Sequence, residues 1–297
     1  MNFNDLHEEQ TQFFESILFE SLGSDTVVEE YQVISGGNVS NAVRLETNEG
    51  FFFVKWNESQ SEDYFVTEAK GLQLLHEIAD VKTPEIFGFG HKYNKSYIIL
   101  EFLTTTTPEE KFWENLGIAT AHLHQHTAPK FGLKDDNYIG SLRQNNAFED
   151  SWIDFFIQKR LLPQAGLAYY NGEISLPMLH RLEKLASQLP AYLPPAKPAL
   201  LHGNLITGNV LTGVNQDAIF IDPAVYYGCY EAEIAFTKLF GGFEAVFYET
   251  YQAINPMESG FEDRVGIYNL YPLLIHINLF GSGYLSGVEK VLRRFGL

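Results

Sequence analysis

Cysteine is almost missing from this chain of 297 residues: Cys229 is the single one. No intramolecular disulfide can form, which fits a reducing compartment, and no neighbouring base activates the thiol. Basic residues are scarce, 20 Lys and Arg against 38 Asp and Glu, for a formal net charge of −18. Such a surface repels phosphate backbones and anionic lipid, so neither nucleic acid nor a membrane is an expected partner. It suits cationic substrates, although net charge speaks to solubility before specificity. Long hydrophobic runs are absent too: no stretch of about 18 apolar residues could cross a bilayer. Residues Met1 to Gln10 are acidic and polar, unlike a secretory signal, and a cytoplasmic protein is expected. No repeat or low-complexity tract appears.

Apolar residues make up 45% of the chain, with 24 Phe and 16 Tyr, enough for a sizeable, aromatic-rich core. Five strands are expected at Val28 to Ile34, Ala42 to Thr47, Phe51 to Trp56, Ile86 to Gly90 and Tyr97 to Leu103. One helix, Ser61 to Ile78, shows helical spacing of Phe65, Ala69, Leu72, Leu75 and Ile78. After Pro108 the pattern turns helical, near 109–126, 149–165, 176–189, 231–240, 244–252 and 262–281, with Thr107 as first cap. The fold class expected is α+β: an N-lobe of five antiparallel strands plus one helix over 1–102, and a mainly helical C-lobe over 103–297.

The most informative stretch is Leu200-Leu201-His202-Gly203-Asn204-Leu205-Ile206-Thr207-Gly208-Asn209-Val210-Leu211, followed by Ile219-Phe220-Ile221-Asp222-Pro223. Asn209 and Asp222 are hard oxygen donors suited to Mg²⁺ held jointly with nucleotide phosphates. Lys55 lies inside the apolar strand Phe53-Val54-Lys55-Trp56, and Glu68 on the next helix could pair with it. An edge-strand lysine reaching solvent is the alternative. Gly36-Gly37 between two strands lets backbone approach phosphates, or is a plain hairpin turn. Glu101 to Leu103 ends the fifth strand and crosses between lobes, where backbone groups could bind adenine or form an ordinary linker. His202 is read as bracing its loop by hydrogen bonds. His122 and His126 have metal-ligand spacing, but no third ligand accompanies them and an exposed face is expected. His124 is read as a packing residue.

On these residues the chain resembles the fructosamine kinase (ketosamine 3-kinase) family, within the aminoglycoside-phosphotransferase-like kinases. Gly36-Gly37, Phe53-Val54-Lys55 and Glu68-Ala69-Lys70-Gly71-Leu72 match in order. A middle block peculiar to the family includes Asp136-Asn137-Tyr138-Ile139-Gly140, Gln144-x-Asn146, Trp152-x-x-Phe155-Phe156 and Arg160-Leu161-Leu162-Pro163-Gln164. Asp222-Pro223-Ala224-x-Tyr226-Tyr227-Gly228 and Leu239-Phe240-Gly241-Gly242-Phe243 complete it. The resemblance implies a protein-kinase-like two-lobed fold, ATP and Mg²⁺, and phosphorylation of a sugar hydroxyl on a ketosamine such as a glycated lysine. It implies Lys55 and Glu68 as the phosphate-binding pair, Asn209 and Asp222 at Mg²⁺, and Glu233 bracing the catalytic loop.

Two positions depart. The family's loop reads His-Gly-Asp-Leu-Trp-Ser-Gly-Asn, whereas this chain has Asn204 for the catalytic Asp and Ile206 for the Trp. Asn38 stands where some relatives carry a redox-active cysteine, so that control should be absent. A neutral amide cannot accept a proton. General-base catalysis contributes about 10²–10⁴-fold, so turnover should be weakened while MgATP binding survives. A pseudokinase nucleotide-binding module, or a small-alcohol or aminoglycoside-type kinase with shifted specificity, are the alternatives.

Overall fold

Period-two alternation along one strand decides where the key lysine faces. The computed structural model describes residues 3–23, 25–34, 40–58 and 61–297, leaving aside the side chains of 3–8. Helix α1 (Phe3–Leu22) precedes β1 (Val28–Val33), β2 (Asn41–Thr47) and β3 (Gly50–Asn57). Helix α2 (Tyr64–Ala79), β4 (Ile86–Lys92) and β5 (Lys95–Glu101) follow. The sheet is antiparallel throughout, in the order β1-β2-β3-β5-β4. Phe52, Val54 and Trp56 of β3 point to one face, where Phe13, Phe14, Ile17 and Leu18 of α1 pack. Phe53 and Lys55 therefore point to the opposite face, toward Phe65, Ala69 and Leu72 of α2. Because β3 pairs with both β2 and β5, Lys55 is not on an edge strand.

Helix α1 was not expected: its acidic opening masked Phe13, Phe14, Ile17 and Leu18, whose spacing is helical. The N-terminal sheet thus carries a helix on each face. Gly88 on β4 permits α1 to come close, since a Cβ there would lie 2.0 Å from Ser21 Oγ.

The helical region begins with α3 (Glu110–Gln125). Its N-cap is the extended Glu109 rather than Thr107. The short hairpin β6 (Asn137–Ile139) and β7 (Leu142–Gln144) comes next. Then α4 (Trp152–Phe155), a π-helical segment (Phe156–Leu161) and α5 (Leu162–Tyr170) run on without a break. Pro163 offers no N–H to the Lys159 carbonyl, and Arg160 Nη1 donates to that oxygen at 3.1 Å instead. Helix α6 (Leu176–Gln188) leads to β8 (Ala199–Leu201), β9 (Val210–Thr212), β10 (Ala218–Phe220) and β11 (Tyr226–Gly228). Helices α7 (Tyr230–Thr237), α8 (Ala245–Ile254), α9 (Phe261–Tyr268), α10 (Leu270–Phe280) and α11 (Leu285–Arg294) close the chain. The single helix expected over 262–281 is two, divided at Asn269, whose side chain donates to Ala235 O at 2.9 Å. A large apolar core spans this region and reaches Leu75 and Val81 at the base of α2. Among the described residues no helix is long and apolar enough to cross a membrane.

Candidate functional site

Three charged side chains from three elements meet at one point. Lys55 Nζ on β3 lies 2.8 and 2.9 Å from the Glu68 carboxylate oxygens on α2. The same ammonium lies 2.6 Å from Asp222 Oδ1, which follows β10. Lys55 and Glu68 side chains are 12% and 10% exposed, whereas Asp222 is 42% exposed and faces the opening. Burial alone would lower the Lys55 pKa; Asp222 and Glu68 overcome it and hold the ammonium above its ordinary range. Burial pushes Glu68 up to about 7, with Lys55 opposing and the like charge of Asp222 adding. Asp222 sits at φ 52°, a left-handed conformation that costs a non-glycine residue about 1 kcal/mol or more. Such stored strain is characteristic of functional positions.

Opposite these charges runs the loop from His202 to Asn209. Glu233 on α7 holds its start: the His202 N–H donates to Oε2 at 3.0 Å, and the Gly203 N–H donates to Oε1 at 2.6 Å. Gly203 has φ 80°, and a Cβ there would sit 2.0 Å from Ala224 O. Only glycine fits both the angle and the approach. His202 Nε2–H donates to Ile221 O at 3.0 Å, while its Nδ1 accepts from the Asn204 N–H at 3.3 Å. The imidazole therefore joins the loop to the strand end before Asp222. Burial lowers the His202 pKa, keeping the ring neutral at pH 7. Asn204 Nδ2 donates to Asp222 O at 3.3 Å, and Asn209 Nδ2 donates to Asn204 O at 2.8 Å. The Asn209 backbone carbonyl accepts from the Ile221 N–H at 3.0 Å. Asn204, Asn209 and Asp222 thus belong to one hydrogen-bonded unit.

The donor set fits Mg²⁺. Asn209 gives its N–H₂ to the loop and keeps an amide oxygen as a donor atom, and Asp222, contacting Lys55 through Oδ1, offers a carboxylate with substantial exposure. Both are hard oxygen donors, few enough that phosphates and water would complete the shell.

Among the other expected residues, Gly36 and Gly37 lie outside the described residues, as does Asn38. Glu101 is the last residue of β5 and its N–H donates to Glu85 O at 2.9 Å. Leu103 lies two residues beyond that strand's end, half-buried. His122 is exposed and His126 has left α3, capping it in an extended conformation, so the two do not share a helical face. Cys229 is buried and its thiol is pushed up to about 12, burial being the main cause.

Sequence reasoning missed one part. His124 is not merely packed: its Nε2 donates to Glu233 Oε2 at 2.9 Å and its Nδ1 accepts from Tyr251 Oη at 2.7 Å. Asn255 Nδ2 in turn donates to Tyr251 Oη at 2.7 Å. This chain fixes the tautomer of His124 and gives Glu233 a third donor. Three polar residues on α3, α7 and α8 share no sequence spacing, so only the fold reveals them.

A five-stranded sheet with a lysine–glutamate pair, facing a loop and a strand-end carboxylate, defines a kinase of protein-kinase-like fold. The chain belongs to the fructosamine kinase family, whose model matches residues 10–296, and it is an ATP-dependent kinase. It is 36% identical over 264 residues to a probable ketoamine kinase of Enterococcus faecium, covering 88% of this chain and 94% of that one. It is 34% identical over 276 residues to the chloroplastic protein-ribulosamine 3-kinase of Arabidopsis thaliana, covering 91% and 83% respectively. Its structure superposes on that of a Haemophilus somnus protein provisionally assigned as a fructosamine-3-kinase, with TM-score 0.85, 28% identity and coverage of 95% and 96%. An aminoglycoside phosphotransferase in ternary complex with AMP-PNP and hygromycin B shares the fold, with TM-score 0.63 and 15% identity over 94% of this chain and 95% of that one.

Proposed function

We propose that this kinase transfers the γ-phosphate of MgATP to a sugar hydroxyl of a ketosamine, and that Asn204 slows the chemical step. The substrate class is glycated amines, glycated lysine among them. The carrying observation is the contact network in which Lys55, Glu68 and Asp222 meet while Asn204 and Asn209 are hydrogen-bonded alongside. The relatives named as a probable ketoamine kinase and a protein-ribulosamine 3-kinase support the same substrate chemistry.

In this reading, Lys55 exchanges its contact with Asp222 for the α- and β-phosphates while Glu68 keeps it oriented. Asn209 and Asp222 hold Mg²⁺, which neutralises charge on the phosphates when bound. Gly36 and Gly37 bring backbone N–H groups to the phosphates, and backbone groups of Glu101 to Leu103 take the adenine. The lobes divide at 102/103. Asn204 orients the acceptor hydroxyl by hydrogen bonding but cannot take its proton. In a loose transition state that proton leaves late, so positioning alone sustains a reduced rate. His202 is neutral and committed at both ring nitrogens, so it orients the loop rather than moving protons.

Calorimetric titration with MgATP, followed by ADP release in the presence of fructosyl-lysine, tests the proposal. Saturable binding at or below millimolar nucleotide with slow, substrate-dependent ADP formation is expected. Absence of binding would end it. Binding with no ADP from any amine or alcohol acceptor would favour the pseudokinase reading, which Asn204 also motivates. ADP from aminoglycosides alone would favour the shifted-specificity reading, to which Ile206 points.

A further inference from the structure

The β6–β7 hairpin touches both halves of the proposed nucleotide site, and does so with opposite faces. Alternation along β6 buries Asn137 and Ile139 and turns Tyr138 outward. Toward α2, the Tyr138 ring packs on Tyr64 with centroids 5.0 Å apart, and Tyr64 Oη donates to Gly140 O at 2.9 Å. Tyr138 Oη donates to Asp63 Oδ1 at 2.8 Å, at the residue capping α2. Tyr64 and Glu68 are one helical turn apart on the same side of α2, so docking Tyr64 sets the rotation of Glu68.

Toward the metal segment, Asn137 Nδ2 donates to Val225 O at 2.8 Å and Gln144 Nε2 donates to Ala224 O at 3.1 Å. These carbonyls lie just after Asp222. The two amides are themselves fixed. Asn137 Oδ1 accepts from Gln144 Nε2 at 2.8 Å and from Asn146 Nδ2 at 3.0 Å, and Gln144 Oε1 accepts from Tyr271 Oη at 2.6 Å. Beneath them, the fully buried Arg160 donates to Asn146 Oδ1 at 2.7 Å and Asn145 O at 2.6 Å. Its guanidinium lies 4.0 Å from the Tyr226 ring centre and 4.5 Å from that of Phe155. No carboxylate pairs with it in these contacts, so its charge is met by carbonyl dipoles and ring faces. Helix α2 and the segment also meet directly: a Cβ on Gly71 would lie 3.2 Å from Pro223 Cγ.

We infer that the β6–β7 hairpin is a positioning clamp, holding Glu68 of α2 and the Asp222–Val225 segment in register before nucleotide arrives. Protein kinases need both the lysine–glutamate pair and the metal-binding aspartate in place, and control that alignment by phosphorylation. Here a buried amide network fixes one side and a tyrosine pair the other, so the alignment is built in. Asn137, Gln144, Tyr64 and Tyr138 are positioning residues in this scheme. The inference rests on Lys55, Glu68 and Asp222 being the nucleotide site.

Two variants of the full chain test it: Gln144→Met, which keeps volume but removes the amide, and Tyr64→Phe, which keeps the ring but releases Gly140 O. Amide hydrogen exchange without nucleotide is the first readout, because it does not depend on kinase activity. Gln144→Met is expected to raise exchange about tenfold at Ala224 and Tyr227, and also in α2 around Glu68. Tyr64→Phe is expected to raise it in α2 and, across the hairpin, in residues 224–227. Calorimetry is the second readout. Each variant should raise the Kd for MgATP by about threefold or more, and the double variant by less than the product, since both loosen one clamp. Changes confined to the mutated side of the hairpin, or Kd effects that simply multiply, would overturn the inference. If Gln144→Met does not fold, Tyr64→Phe with exchange at 224–227 decides. Wild-type protein that fails to bind MgATP would refute the proposed function, while exchange would still show whether the clamp couples the two sides.

Discussion

Replacing Glu233 by Ala should loosen the catalytic loop and measurably destabilise the whole protein. The carboxylate accepts from the His202 N–H, the Gly203 N–H and His124 Nε2–H, all buried. Truncation strands three donors, each costing about 1–3 kcal/mol when left without an acceptor. A small cavity of about 20 Å³ already borders Glu233 and Gly203, and water entering the enlarged space would satisfy some of them. A net loss of about 4 kcal/mol is therefore expected, and at about 2–4 °C per kcal/mol the melting temperature should fall by about 8–16 °C. Glu233→Gln keeps the shape but loses one acceptor, so about 1–3 kcal/mol is expected. The acid limb carries a second signature. Burial alone would raise the Glu233 pKa, but the hydrogen bonds from His124 and from the Gly203 N–H overcome it and lower it. A depressed carboxylate pKa contributes stability that is fully present above the unfolded value, about 4.3, and is lost as pH falls through the folded value. Glu233→Gln should flatten that limb. Calorimetric unfolding from pH 8 to 3 makes both measurements. A Glu233→Ala protein melting within about 2 °C of wild type would refute the reasoning.

Three further outcomes follow from the same geometry. Gly203→Ala should cost about 3 kcal/mol or more, because the new Cβ meets Ala224 O at 2.0 Å with φ at 80°; thermal melts check it. His202, its pKa lowered by burial, contributes stability that is present above its unfolded value of about 6.5 and is lost as pH falls through the folded value. Its imidazole NMR signal should therefore stay unshifted from pH 8 down to pH 6.5. Cys229, buried with its thiol raised to about 12, should resist iodoacetamide in the native protein and react after denaturation, as read by mass spectrometry.

The β3 alternation and the His202–Asp222 stretch were legible in the sequence because their signals are local. Period two fixes which way Lys55 points once Phe52, Val54 and Trp56 face the core. Its pairing with Glu68 required only that the next helix cover that face. Helix α1 was legible in principle, since Phe13, Phe14, Ile17 and Leu18 carry the spacing, but charge at the chain's start obscured it. The division of the last long helix at Asn269 has a local cause, since Pro272 has no N–H to give the Tyr268 carbonyl four residues back; the Asn269 bond to Ala235 O on α7 that accompanies it is tertiary, and no local pattern records it. The same holds for the His124–Tyr251–Asn255 chain and for the amide network under the β6–β7 hairpin. Their members lie up to 127 residues apart, so their meaning exists only after folding.

The most direct test of the central claim is the turnover of Asn204→Asp against wild type on fructosyl-lysine with MgATP. The amide now donates to Asp222 O, a bond aspartate cannot make, so the new carboxylate should turn toward the acceptor hydroxyl. Restoring a proton acceptor is worth about 10²–10⁴-fold where proton transfer limits the rate, and at least about tenfold is predicted, with MgATP affinity little changed. An unchanged or lower rate in a folded, MgATP-binding variant would contradict the role assigned to residue 204.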